Sequence, residues 1–154
     1  MPDGRIFVAG GDPFHQIDPP GFNLRFPTGE FIQPPYLDGV TTRPRITMDQ
    51  VPDVWTAGNT DPITIPYTWT GAAGSNCNKA VLIRLGAVTN GFDQNQRFIN
   101  LEVLTSSASN LTVKAPVSKL IAPPGWYMLF ILYPRAVSGS THTPCAWAKY
   151  IRII

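Results

Sequence analysis

Side chains able to bind a metal, attack a carbonyl or relay protons are few in this chain and widely spaced. His15 and His142 are its two histidines. Far apart in sequence, they are not read as a zinc or copper pair, and both read as loop residues. Serine and aspartate are plentiful, but no Gly-x-Ser-x-Gly elbow is present and a Ser/His/Asp relay has no local signature. Gly10-Gly11 is not a phosphate loop, because no Lys-Ser/Thr pair and no helical pattern follows it. Asp93 and Arg97 are placed to pair around a turn, which reads as a loop clamp rather than a catalytic couple. Cys77 and Cys145 permit one intramolecular disulfide. In an oxidising compartment it would close a loop of roughly 70 residues and contribute about 4 kcal/mol in the chain-entropy model. Otherwise the two are small buried or free thiols. No catalytic residue, metal site or cofactor is expected from these side chains.

Trp55, Trp69, Trp126 and Trp147, with Tyr127, Tyr133 and Tyr150, are numerous enough for a sugar-stacking platform. Most lie in apolar stretches, which favours core positions.

The elements that would position these groups follow from composition and periodicity. The chain has 154 residues, enough for one domain with an arm. Hydrophobic residues make up 44%, so a packed core is expected without a metal or a staple. Net charge is +2 with no Lys/Arg run, which gives nucleic-acid binding no electrostatic support. Charged residues are only 14%, so self-repulsion is weak and association is easy. No stretch approaches the ~18–20 apolar residues of a membrane-spanning helix. The first residues, Met1-Pro2-Asp3-Gly4, do not read as a signal peptide.

Residues 1–40 differ from the rest. Arg5 to Ala9 and Glu30 to Gln33 read as short strands either side of a Pro/Gly-rich loop. Two short strands build no core of their own, so this arm must pack on something else. From residue 41 to 154 the pattern is regular. Arg45 to Met48 opens it, and Ile63, Ile65, Tyr67 and Trp69 alternate with polar or turn residues. Pro66 marks that strand as an edge. Ala80 to Leu85, Ile99 to Val103, and Leu111 to Val113 follow. Gly125 to Tyr133 is apolar throughout, as in a central strand covered on both faces. Ala146 to Ile154 closes the domain. No three-and-four spacing persists, so almost no helix is expected. The pattern predicts an all-β, antiparallel β-sandwich of about seven strands with an extended N-terminal β arm.

Several segments resemble, in order, the galactose oxidase and glyoxal oxidase family. Pro2-Asp3-Gly4-Arg5 through Gly11 is similar to the strand near the end of that family's Kelch propeller. Pro34-Pro35-Tyr36-Leu37 with Arg43-Pro44 resembles its propeller-to-C-terminal junction. Thr89-Asn90-Gly91-Phe92-Asp93-Gln94-Asn95-Gln96-Arg97 and Pro123-Pro124-Gly125-Trp126-Tyr127-Met128 resemble segments of its C-terminal domain. The resemblance implies an immunoglobulin-like early set sandwich and an extracellular or cell-surface location. It also implies a copper held mostly by the propeller. This domain would supply one ligand, a histidine, at the position where Asn90 stands. A carboxamide is a poor substitute for imidazole at Cu(II).

Three functional classes remain open. The first is a non-catalytic assembly subunit. With its propeller neighbours absent, Ile6, Phe7, Val8, Phe31 and Ile32 would offer an exposed strand edge to another copy, giving a homo-oligomer or a filament. The second is the C-terminal piece of a copper-radical-oxidase-like protein. The third is a module that binds polysaccharide.

Overall fold

The structure is a computed structural model and describes residues 1–9, 29–71, 76–89, 92–137 and 140–154. The first two strands, Ile6–Ala9 (β1) and Gly29–Ile32 (β2), pair antiparallel with each other, Phe7 opposite Phe31. The rest is built from short strands. They are Arg45–Ile46 (β3), Val54–Trp55 (β4), Ile63–Thr68 (β5), Lys79–Arg84 (β6), Val88–Thr89 (β7) and Phe92–Asp93 (β8). Then come Phe98–Asn100 (β9), Val103–Ser106 (β10), Asn110–Val113 (β11), Gly125–Val137 (β12), Ser140–Pro144 (β13) and Lys149–Ile153 (β14). Helical structure among the described residues is limited to two single 3-10 turns, Pro35–Leu37 and Met48–Gln50. None is long and apolar enough to cross a membrane.

Two sheets make the sandwich. One has the order β10-β11-β5-β3; the other runs β4-β14-β12-β6-β9, with β13 beside β12. Their facing rows form the core. Ile65, Tyr67, Leu111 and Val113 come from the smaller sheet, and Leu82, Tyr127, Leu129, Ile131, Ile151 and Ile153 from the larger. The period-two rows put every second side chain of β5, β12 and β14 inside, and each fully buried aliphatic or aromatic contributes roughly 1.5–3 kcal/mol. Lys149 shares the inner row of β14; its stem is buried and its ammonium exits to the exposed carboxylate of Asp53.

Three sequence expectations change. The stretch expected as one strand over 99–103 is two, β9 in the larger sheet and β10 in the smaller. The chain crosses at Leu101, whose N–H donates to Ala80 O at 2.9 Å, and Glu102, whose carbonyl accepts from Lys114 at 3.0 Å. Strand β5, expected at an edge because of Pro66, lies between β11 and β3. The proline is tolerated because β3 ends opposite it. Its ring nitrogen and its carbonyl both face that way: the carbonyl accepts from Thr47 N–H at 2.9 Å, and Thr47 O, which gets no donor from the proline, accepts Gln50 N–H at 3.1 Å instead. One pair is parallel, β4 against β14. The arm, which had to pack on something outside itself, is fastened to the sandwich at its base. Ala148 N–H donates to Pro2 O at 2.7 Å and Tyr36 hydroxyl to Gly4 O at 2.7 Å. Arg43 donates to Asp3 O at 2.8 Å and reaches the carbonyls of Cys145 and Ala146.

Candidate functional site

Four places on this scaffold carry groups of interest. The first is the hairpin of β7 and β8, in which Thr89 faces Phe92 across a two-residue connector. An Asn-Gly connector suits the left-handed turn that such hairpins need. Asn90 and Gly91 themselves lie outside the described residues, as does His15. The base of the hairpin is clamped by Asp93, whose Oδ1 accepts the N–H groups of Ala87 and Asn95, both at 2.9 Å. Those two bonds, Asn95 first, hold its carboxyl below the ordinary value. Asp93 and Arg97 do not pair. The backbone donors take its Oδ1, and Arg97 turns away to donate to Leu120 O at 3.2 Å and Ile121 O at 2.8 Å. Val88 and Phe92 project outward, 70% and 65% exposed. Replacing Asp93 with Ala is expected to speed amide exchange at Ala87 and Asn95 about tenfold or more while leaving β12 protected, measured by hydrogen exchange with NMR detection. Unchanged exchange at those two amides would show that the clamp is idle.

The hairpin does not suit Cu(II). Its connector offers a carboxamide and a glycine. No group of three His, Cys, Asp or Glu side chains that could hold a metal occurs among the described residues. His142 stands on β13, its Nδ1 2.8 Å from the Thr141 hydroxyl. Burial, helped by the charge of Lys79, lowers its pKa.

The second place is the ribbon of β1 and β2. Ile6, Phe7, Val8, Phe31 and Ile32 are brought together there, each between 43% and 51% exposed. Phe7 and Phe31 pack at 5.0 Å between centroids, and the Arg5 guanidinium lies 4.7 Å over Phe31. Third is an apolar cleft of about 390 Å³ between the foot of this ribbon and the outer face of the larger sheet, walled by Ile6, Val81, Ile83, Phe98, Met128 and Phe130. It explains the unbroken apolar run of β12: one row faces the core and the other faces the arm.

The fourth is a polar cleft of about 600 Å³ formed by Asp3, residues 40–43, Arg45, residues 68–70, Ala146 and Trp147. Burial works to raise the Asp3 carboxyl, but the Arg5 backbone and guanidinium bonds and charge outweigh it and hold the group below its ordinary value. Sequence reasoning named Trp147 but missed Arg43, Arg45 and the threonines. The only signal was a polar Thr41-Thr42-Arg43 run entering the first sandwich strand.

The seven aromatic residues do not come together as a platform. Trp55, Tyr127 and Tyr133 are buried, Trp69 packs on Tyr133 at 4.4 Å between centroids, and Trp126 and Tyr150 are exposed away from Trp147 on another face. Gly71 allows the Trp69 packing, since a Cβ there would meet the indole at 2.1 Å. Cys77 and Cys145 are free, buried thiols. They flank opposite edges of β12, because Lys79 and Pro144 both face Leu132. Cys145 Sγ instead donates to Trp147 O at 3.3 Å.

Residues 43–143 match the family described as galactose oxidase-like, early set domain. A putative aldehyde oxidase of Artemisia annua, Art an 7, is 33% identical over 143 residues, which are 85% of this chain and 22% of that protein. A galactose oxidase of Gibberella zeae is 29% identical over 147 residues, 93% of this chain and 20% of that one. The solved structure of a fungal alcohol oxidase of the AA5 family, in complex with copper, is similar with a TM-score of 0.70 at 29% identity. That likeness covers 99% of this chain and 29% of the oxidase. The chain thus spans between 20% and 29% of the length of these relatives.

Proposed function

The chain belongs to the galactose oxidase-like early set family, and from that premise we propose that it is the sandwich module of an extracellular protein resembling a copper radical oxidase. In this reading it supplies scaffold rather than a metal ligand and has no oxidase activity by itself. The observation that carries the reading is the extent of the likeness to the fungal alcohol oxidase, which takes in 99% of the chain, arm included, rather than the sandwich alone. The exposed ribbon and the apolar cleft are then surfaces that the rest of such a protein would cover. The hairpin, with Asn90 in place of the family's ligand, would reach toward the metal region without binding there. The test is copper retention. Purified chain loaded with Cu(II) and dialysed is expected to keep far less than one copper per molecule and to give no peroxide with galactose or glyoxal. One tightly held copper per chain sinks the reading.

A second reading is favoured by the ribbon itself. Among the described residues its two outer edges pair with no other strand, and its side chains are apolar on both faces. Ile6, Phe7, Val8, Phe31 and Ile32 would then pair with a neighbouring copy, and a head-to-tail contact would grow a filament. Light scattering at micromolar concentration separates the two. A species near 16.9 kDa supports the module. Large polymers that a Phe7→Lys substitution disperses support assembly.

A further inference from the structure

We propose that the polar cleft between residues 41–45 and Trp147 binds a carboxylate-bearing polysaccharide, with a sugar ring stacked on Trp147 and its carboxylate met by Arg45. The site is independent of the oxidase-module reading and uses neither the ribbon nor the hairpin.

Three features of the cleft fix the ligand chemistry. Trp147 is 49% exposed on the wall, and a half-buried indole gives the apolar face of a pyranose ring a flat partner. Charge comes next. Arg43 and Arg45 line the cleft against one carboxylate, Asp3, which Arg5 already holds through a 2.7 Å ion pair. The local excess is therefore positive, and a guanidinium suits a carboxylate geometrically. Third, Thr41, Thr42, Thr68 and Thr70 also line the cleft, and among the described residues their hydroxyls make no bond within the protein, which leaves donors and acceptors for ring hydroxyls.

The walls are also held in place. Arg43 donates to three carbonyls, those of Asp3, Cys145 and Ala146, and so ties the floor of the cleft to the segment that carries Trp147. A prearranged site loses little freedom on binding. Nucleic acid is disfavoured because the whole chain carries only +2 and has no basic run.

The experiment titrates trigalacturonate and, separately, neutral galactotriose into the full chain, followed by calorimetry and by amide shifts in NMR spectra. Trigalacturonate is expected to bind, to shift amides near 41–45, 68–70 and 147, and to weaken as salt rises. Trp147→Ala should lose at least about tenfold in affinity, which corresponds to 1.4 kcal/mol. Arg45→Gln, an exposed substitution that leaves the core untouched, should lose several-fold and flatten the salt dependence. Absence of binding at millimolar trigalacturonate overturns the proposal. So does equal binding of galactotriose, or full affinity in both variants. Copper retention does not bear on any of these outcomes.

Discussion

Alkaline titration should unfold this chain between pH 9 and pH 12. Two buried thiols dominate that expectation. Burial pushes the Cys77 thiol up from 9.0 to about 12, with the Tyr67 hydroxyl opposing and the nearby Cys145 adding to the rise. Burial likewise pushes Cys145 to about 12, against the opposing hydrogen bond from Ile131 and charge of Arg43. Tyr67 also rises to about 12, through burial first. In each case the neutral form is the one the fold tolerates. An unfolded chain releases these protons near pH 9 to 10, whereas the folded chain holds them to about 12. The stability is fully present below pH 9 and drains away as pH climbs through that window. Each thiol accounts for roughly 4 kcal/mol at the top of the window, and a domain has only about 5–15 kcal/mol to lose. Circular dichroism along a pH series measures the midpoint. Cys77→Ala and Cys145→Ala should each move it upward, once their lower starting stability is subtracted. A fold that persists past pH 12, or midpoints that ignore both substitutions, would sink the argument. The same burial predicts that thiol reagents react at pH 7 only after denaturation.

Replacing Trp55 with Ala should cost about 3–5 kcal/mol. This indole is 2% exposed and sits where the parallel strands β4 and β14 meet. Its Nε1–H donates to Pro52 O at 3.0 Å, while its carbonyl accepts from Ile154 N–H at 3.0 Å. Removing the ring opens a large void beside Ile153, in a pair only two residues long. Trp55→Phe keeps most of the volume and loses the Pro52 bond, so it should cost less than the Ala variant. Urea midpoints for the two variants measure the order. Equal costs would place the stability in the hydrogen bond rather than in packing.

Much of this fold was legible because period two is a direct readout of a half-buried strand. Ile63, Ile65, Tyr67 and Trp69 point inward or partly inward as the alternation requires. The unbroken run of β12 was correctly a strand with both faces covered, although the second cover is the arm and not another sheet. What failed has physical reasons. Alternation continues through Ile99, Leu101 and Val103 because both sheets face one core, so the pattern is blind to the crossing at Leu101. Pro66 was misjudged because a proline needs only a missing neighbour at one position, not along a whole edge. Strand β13 is Thr-rich and short, and its place is set by β12 rather than by its own sequence. The polar cleft was illegible for a different reason. Its residues run from Asp3 to Trp147, and no local window contains two of its walls.

The clasp at the foot of the arm also sets how the chain bears load. Tension applied at Met1 meets the bonds of Pro2 O to Ala148 and of Asp3 O to Arg43 before it reaches anything further along. Force therefore passes straight into the segment just before β14, close to the opposite end of the chain. The ribbon of β1 and β2 is short-circuited and carries none of that tension until the clasp opens. Mechanically the ribbon is a side branch and not a link, so its strands can be engaged or left bare without changing the load that reaches the sandwich through Met1.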